Sequence, residues 1–263
     1  MNVRRFFRTP KGQLVIILSV LTGTAAIGEG VALVAPGLCG AMAAAMLLDA
    51  PLLRWRHKRW VFPDGALITG MIVAAILSPH EPWYIAAVTA GVGVISKYLF
   101  RVGKANIFNP AAFGLVATFY VFDSGQSWWG ALPEMATPWL LLLVVTGAFI
   151  TWKVNKAPIA LGFLGSYYLL ITITAFAFNP AHVAELYRAP DLHAALYFAL
   201  FMVTDPPTSP PRDRDQLIYG TGVGVVAYAA FMWIGAAYWL LAGMLVANAL
   251  DTFRRVRRRP LTA

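Results

Sequence analysis

Apolar runs recur along the whole chain, and this recurrence constrains the fold more than any other feature of the sequence. Of the 263 residues, 59% are hydrophobic and only 13% are charged, whereas a soluble domain carries about 25% charged residues. No stretch between the apolar runs is long enough to bury a core of its own. The sequence therefore predicts an all-α polytopic membrane protein, in which residues 1–263 form a single membrane domain, and it excludes a large soluble catalytic domain.

The chain contains about ten candidate membrane helices, since about 20 apolar residues span a bilayer. The predicted helices cover residues 14–28, 34–50, 64–77, 83–100, 108–122, 139–152, 158–178, 192–204, 216–234 and 238–252. Several are short for a full crossing. Such helices must be broken or packed inside the bundle, because unpaired backbone ends are costly in hydrocarbon.

The basic residues alternate with the predicted spans. If the N-terminus is cytoplasmic, all of the 21 Lys and Arg residues except Arg188 fall on the cytoplasmic side, as the positive-inside rule requires. We therefore predict a multi-pass membrane protein with both termini cytoplasmic. The net charge of +9 then reflects topology, and the Arg-rich tail is an anchor near anionic lipid. No nucleic-acid partner is expected.

Two halves of the sequence repeat each other at an offset of 131 residues. Residues 77–79 align with 208–210, and the Gly-Val-Gly-Val run at 91–94 aligns with 222–225. Each half holds five predicted helices, residues 1–122 and 139–263, joined by an outside loop at 123–138. Because five is odd, the halves are predicted to be two inverted five-helix repeats.

The aligned Ser-Pro pairs, Ser78 with Pro79 and Ser209 with Pro210, mark the predicted turns of broken helices. Proline removes a backbone donor and disfavours helix in the preceding residue. Such turns near the bilayer midplane line binding sites in transporters; alternatively, these prolines only end helices. For the repeated glycines, which are Gly91, Gly93, Gly222 and Gly224, close helix packing is the favoured interpretation.

Asp205 and Asn109 are the polar residues with the strongest claim to function. Asp205 opens the string Asp-Pro-Pro-Thr-Ser-Pro-Pro, where its carboxylate can cap a turn by accepting downstream amides or contact an ion or cofactor. Asn109 precedes Pro110, where N-capping of a helix is the simpler explanation. The other acidic residues considered are predicted to be interfacial: Glu29, Asp49, Asp64, Asp123 and Asp251. The histidines, His57, His80, His182 and His193, show no helical metal-site spacing.

Three strings resemble the RnfD/NqrB family. They are Asn-Ile-Phe-Asn-Pro-Ala-Ala-Phe-Gly at 106–114, Phe-Met-Val-Thr-Asp-Pro-Pro-Thr-Ser-Pro at 201–210, and residues 248–251 before the basic tail. The resemblance implies a ten-helix subunit of an ion-pumping electron-transport complex of the bacterial inner membrane, with a urea-transporter-like inverted repeat and other membrane subunits as partners. It implies FMN or riboflavin as cofactor, with Asn109, Asp205 and Thr208 as candidate cofactor-binding residues, and a subunit role in place of a stand-alone enzyme.

The family also implies an FMN linked by a phosphodiester to a threonine of the outside loop. In this chain Thr137 lies in that loop, but the loop reads Pro-Glu-Met-Ala-Thr-Pro and lacks the Ser-Gly that the flavin transferase recognises. Thr137 is therefore either a covalent FMN site or an unmodified loop residue. A flavin held without a covalent bond, covered by Trp128, Trp129 and Trp139, is an alternative, although interfacial tryptophans explain the same residues.

Two other functions stay open at this point. The first is a flavin-free channel or carrier for a small neutral or flavin-like solute, which the missing Ser-Gly and an expected absence of buried charge pairs favour. The second is a membrane scaffold, for which the residues offer no positive support.

Overall fold

The computed structural model describes residues 6–103, 105–178 and 184–257. Within them, ten helical segments follow one another in the order that the apolar runs predict. They are α1 (Pro10–Glu29), α2 (Val31–His57), α3 (Asp64–Ile76), α4 (Trp83–Leu99), α5 (Pro110–Phe122), α6 (Thr137–Lys153), α7 (Ala157–Ala177), α8 (Asp191–Met202), α9 (Asp213–Ile234) and α10 (Trp239–Arg257). The last turns of α8 and α9 are π-helical, at Phe198–Met202 and Ala230–Ile234.

The connections contain little regular structure. Strands β1 (Arg101–Val102) and β2 (Ala105–Asn106) form a small antiparallel hairpin between α4 and α5. Single 3-10 turns occupy Trp129–Ala131 and Glu185–Tyr187. The prediction of an all-α protein is therefore confirmed. Parts of the predicted basic distribution lie outside the described residues, namely Arg4, Arg5, Lys104, Arg258 and Arg259.

Four helices, α1, α2, α7 and α9, are long and apolar enough to cross a membrane. Helices α3, α4, α5, α6 and α8 are apolar but shorter. Helix α3 has 13 residues, or about 20 Å at 1.5 Å per residue, against a hydrocarbon core of about 30 Å. Ten of the 13 residues of α3 are buried, so this short helix packs within the bundle.

Helix α2 is longer than predicted. Its apolar run predicts an end at residue 50, but the helix continues through Pro51 to His57. A proline inside a membrane helix is tolerated where neighbouring groups satisfy the freed backbone. The added turns carry Arg54 and Arg56, whose positive charges favour the C-terminal end of a helix.

Close backbone packing joins the helices of each half. A Cβ on Gly93 would lie 2.5 Å from the carbonyl oxygen of Pro110, and one on Gly114 would lie 2.4 Å from that of Thr89. A Cβ on Gly224 would lie 2.9 Å from the carbonyl oxygen of Phe163. The packing role predicted for Gly93 and Gly224 is therefore confirmed.

The other two repeated glycines differ from each other. A Cβ on Gly91 would lie 3.0 Å from the Leu48 side chain, so this position is also packed. A Cβ on Gly222 would meet no heavy atom of the described residues within 4 Å. The packing prediction is wrong for Gly222, because this face of α9 borders open space.

Helix contacts follow the same order in the two parts of the chain. In the first part, α2 packs on α4 and α4 packs on α5. In the second, α7 packs on α9 and α9 packs on α10. Each part therefore has its second helix against its fourth, and its fourth against its fifth.

The connection between α5 and α6 folds back on the end of α3. The backbone N–H groups of Ser127 and Trp128 donate to the Ile76 carbonyl, and the N–H of Ser78 donates to that of Gly125, 2.9 Å away. The indole N–H of Trp129 donates to the Ala74 carbonyl over 2.6 Å. The carbonyls freed where α3 stops, next to Ser78 and Pro79, are thus taken by the chain itself.

Candidate functional site

A cavity of about 590 Å³ lies between the two parts of the chain. Helices α1 to α5 contribute one wall, and α6, α8 and the segment after α8 contribute the other. Its volume is within the range of about 300 to 1,000 Å³ that small-molecule sites occupy. The lining is mostly apolar and includes Ile68, Ile150 and Phe201.

Asn109 stands at the start of α5 on this cavity. Its Oδ1 accepts from the backbone N–H of Ala112 over 3.1 Å, with Pro110 as the first helical residue. This is the predicted N-cap, which satisfies one free donor of the first turn. Its Nδ2 also donates to Oδ2 of Asp205 over 3.5 Å. Asn109 thus caps the helix and orients a carboxylate at the same time.

Asp205 follows the π-helical turn of α8 and faces the same cavity. The hydroxyl of Thr208 donates to Oδ2 of Asp205 over 3.1 Å, and the hydroxyl of Ser209 donates to the main-chain oxygen of Asp205 over 2.8 Å. The downstream amide of Thr208 also donates to that main-chain oxygen. The turn is therefore closed as expected, but within it the Thr208 hydroxyl, and not a downstream backbone amide, binds the carboxylate.

Asn248 of α10 ties the two motifs together. It accepts from the backbone N–H of Asn109 over 3.1 Å, and its Nδ2 donates to the Thr208 carbonyl over 3.3 Å and to the Tyr219 hydroxyl over 2.5 Å. Asn248 is fully buried, so these bonds are not exchanged with water. Sequence reasoning noted Asn248 only within the family resemblance, and it missed Tyr219, which no motif contains.

A lysine in the connection between α6 and α7 binds the Ser209–Pro210 turn. Lys156, between α6 and α7, donates from Nζ to the Pro210 carbonyl over 2.5 Å. Burial lowers the pKa of this Lys156 ammonium, since a charged group is less well solvated away from water. Pro206 and Pro207 line the central cavity, whereas Pro210 borders a different groove.

Two ion pairs also line the cavity. Lys97 of α4 lies 2.6 Å from Asp49 of α2, and the Tyr98 hydroxyl donates to the same carboxylate over 2.6 Å. Lys11 and Asp64 form a more exposed pair at 2.9 Å. Asp49 is only 1% exposed, so the prediction that it is interfacial was wrong. The expected absence of a buried charge pair was also wrong, because the packing of α2 on α4 brings both partners to one point.

Thr137 lies apart from this cavity. It is the exposed first residue of α6, followed by Pro138, and it is not among the cavity-lining residues that the structure describes. Trp129 is 2% exposed and bonded to Ala74, while Trp128 packs edge-on against Tyr197. Trp129 is therefore unavailable to cover a ring beside Thr137, and its interfacial assignment was wrong.

In the part of the chain that the structure describes, no group of three or more His, Cys, Asp or Glu residues is placed to hold a metal ion. His193 lies with Nδ1 2.9 Å from the Ala131 carbonyl and so packs the start of α8 against the α5–α6 connection. His182 lies outside the described residues.

These features define a class: an all-α integral membrane protein whose short apolar helices help to enclose a mostly apolar cavity with a few polar and charged groups on its wall. The chain belongs to the NQR2, RnfD, RnfE family, whose model matches residues 12–139 and 124–254. The resemblance drawn from the motifs is thereby confirmed.

Curated relatives match over nearly the full chain. A protein of Pseudomonas paraeruginosa (strain DSM 24068 / PA7), named as a subunit of an ion-translocating oxidoreductase complex, is 26% identical over 329 residues, covering 97% of this chain and 93% of the relative. The protein of the same name from Ectopseudomonas mendocina (strain ymp) is 24% identical over 320 residues, covering 95% and 91%. Both alignments are longer than the 263 residues of this chain, so the relatives carry segments that this chain lacks.

Proposed function

We propose that this chain is an integral membrane subunit of an electron-transport complex coupled to ion translocation, acting with other membrane subunits and not as a stand-alone enzyme. Family membership and relatives named as subunits of an ion-translocating oxidoreductase complex support this role. The observation that carries it is the convergence of Asn109 and Asp205, from two distant motifs, at the wall of one cavity, where the Thr208 hydroxyl binds the Asp205 carboxylate.

The proposed topology is ten spans in two inverted five-helix repeats, with both termini in the cytoplasm of a bacterium. The shared order of helix contacts in the two parts of the chain supports it. The test uses a Cys39→Ala background with one new cysteine per variant. A membrane-impermeant thiol reagent applied to intact spheroplasts should label Glu134→Cys and spare Arg59→Cys and Lys153→Cys. Labelling of all three, or of none until the cells are lysed, would overturn the proposed topology.

We propose further that the central cavity holds a flavin, FMN or riboflavin, without a covalent bond. The lining offers both kinds of group that the polar edge of such a ring needs. The Asn109 amide and the Lys97 ammonium are hydrogen-bond donors, and the Asp205 carboxylate is an acceptor. The apolar side chains of Ile68, Ile150 and Phe201 fit its faces. A bound flavin supplies electron transfer, and the protein supplies binding, orientation and electrostatics.

The chain's own residues have defined tasks in this proposal. Thr208 and Asn109 hold the Asp205 carboxylate toward the cavity. The apolar walls exclude water, which strengthens the electrostatic effect of the nearby Lys97 and Asp49 charges. Asn248 keeps the two motifs in register.

Thr137 is the second candidate flavin position. Its exposed hydroxyl stands at a helix N-terminus, where backbone N–H groups favour a phosphate. The residues around it fit a phosphate better than a ring, because Trp129 is buried elsewhere. We therefore place the flavin in the cavity, and covalent attachment at Thr137 is the alternative.

The experiment measures flavin in the protein purified with its membrane partners. We expect flavin that denaturation releases, and we expect Ile68→Trp, which fills the cavity, to lose it. Leu33→Trp, a matched change on an exposed site of α2, should keep it. Flavin-free wild type after incubation with FMN and riboflavin would remove the cavity proposal. Fluorescence that survives a denaturing gel in wild type and is lost in Thr137→Ala would assign the flavin to Thr137.

A further inference from the structure

A second cavity, a groove of about 630 Å³, lies between α9 and α10 and does not belong to the central site. Its basic end is formed by Arg212, Arg254 and Arg255. Its walls away from that end are apolar and include Ile218, Val225 and Leu250, all of which are exposed. The groove therefore combines a cationic mouth with an apolar interior on the surface of a membrane protein.

The charges at the mouth do not cancel. Asp215 and Asp251 also border the groove, and Nε of Arg255 donates to Asp251 over 2.6 Å. Three guanidinium groups thus face two carboxylates, and the side chains of Arg212 and Arg254 are exposed at the rim. The net charge of the mouth is positive and suits an anionic group.

The length of the groove matches one leaflet of a bilayer. From Asp215 to Val225 the groove follows α9 for about 15 Å, at 1.5 Å per residue. The hydrocarbon core is about 30 Å thick, so a groove of this length covers about half of it. At Gly222, where the described residues leave a Cβ without a neighbour within 4 Å, the groove is deep enough for a chain to lie against the backbone.

We propose that this groove binds an anionic phospholipid, with its phosphate on Arg212 and Arg254 and one acyl chain beside Gly222. Basic pockets between membrane helices bind anionic headgroups, and guanidinium groups pair with phosphate oxygens in bidentate geometry. The inference needs only that the chain lies in a membrane and is independent of the proposed electron-transport role.

The groove shares a wall with the central site. Arg255 donates to the carbonyl of Thr208 over 3.3 Å, and Tyr219, which lines the groove, accepts from Asn248. Thr208 in turn holds the Asp205 carboxylate. The groove and the turn that faces the central cavity are thus connected through Arg255 and Thr208.

Native mass spectrometry of the purified full chain tests the proposal with phosphatidylglycerol and phosphatidylcholine of identical acyl chains. We expect selective retention of phosphatidylglycerol. Arg212→Gln with Arg254→Gln should weaken it about 25-fold, roughly fivefold per arginine. The matched pair Arg56→Gln with Arg59→Gln, which removes two exposed charges elsewhere, should leave retention unchanged.

A second variant tests the acyl-chain position. Gly222→Phe should block retention of phosphatidylglycerol, whereas Gly165→Phe, on an exposed site of α7 that is equally open, should not. Equal retention of phosphatidylglycerol in wild type and Gly222→Phe would overturn the proposal. So would displacement of all bound lipid by inorganic phosphate alone, which would make this a free-phosphate site. A cross-link from a cysteine at residue 222 to a helix of another subunit in native membranes would likewise overturn it.

Discussion

The backbone N–H of Asn109 donates to Oδ1 of Asn248 over 3.1 Å and joins residues that are 139 positions apart in the chain. Asn248 then reaches the Thr208 carbonyl and the Tyr219 hydroxyl from the same amide nitrogen. One buried side chain thus connects the start of α5, the turn after α8 and the second turn of α9. The central site is a product of this connection, because neither motif alone encloses the cavity.

We expect Asn248→Ala to destabilise the protein by about 2 to 4 kcal/mol, because several buried polar groups lose their partner and each costs about 1 to 3 kcal/mol. Tyr219→Phe, which removes only the phenolic hydroxyl, should cost about 1 kcal/mol. Unfolding in mixed detergent micelles measures both. Equal losses for the two variants would contradict the central position given to Asn248.

We expect Lys97→Met to cost about 3 to 5 kcal/mol, because it leaves the buried Asp49 carboxylate without its cation. The same change at Lys11, whose pair with Asp64 is exposed, should cost less than about 1 kcal/mol. The double variant Asp49→Leu with Lys97→Leu should recover most of the loss. The free energy of unfolding of the four proteins checks this, and a double variant no better than Lys97→Met would refute the buried-pair explanation.

We expect Gly114→Ala to force α4 and α5 apart, since its Cβ would lie 2.4 Å from the Thr89 carbonyl oxygen. The overpacking should cost about 1 to 3 kcal/mol. Gly23→Ala, where the described residues leave open space around the Cβ, should be neutral or stabilise α1 by up to about 1 kcal/mol. Melting temperatures in one detergent provide the comparison, and a stabilising Gly114→Ala would show that the two helices are not in backbone contact.

We expect liposomes that contain the wild-type chain to take up urea or glycerol no faster than empty liposomes. The reason is that Trp129 and its loop occupy the end of α3 next to Ser78 and Pro79. Stopped-flow light scattering measures the flux. Uptake above that of empty vesicles, abolished by Ile68→Trp and kept in Leu33→Trp, would establish the channel or carrier function instead.

The sequence predicted the helices well because membrane burial leaves long apolar runs that need no tertiary information. Most predicted ends lie within a few residues of the observed ones, and the main exception is α2, which runs through Pro51 to His57. A proline and a charge both predict a helix end locally. In this helix the neighbouring packing and the basic last turn outweigh that local preference.

The candidate site was predicted only in part. Asn109, Asp205 and Thr208 stand out because proline and polar residues interrupt apolar sequence, and the structure brings them to one place. The pairing of Asp49 with Lys97 depends on how α2 packs on α4, and periodicity does not encode that contact. Trp129 looked interfacial because it lies in a loop between two predicted membrane helices, yet the end of α3 offers its indole a buried acceptor.

The α5–α6 connection, which covers the end of α3, also limits how far the central cavity extends. The lining of the central chamber stops on α3 at Ile72, half a turn before the carbonyl that the tryptophan occupies. Among the described residues, the cavity therefore ends before the face at which the α5–α6 connection covers α3. A cavity that ends short of this face is suited to holding a bound molecule in place while electrons move to and from it.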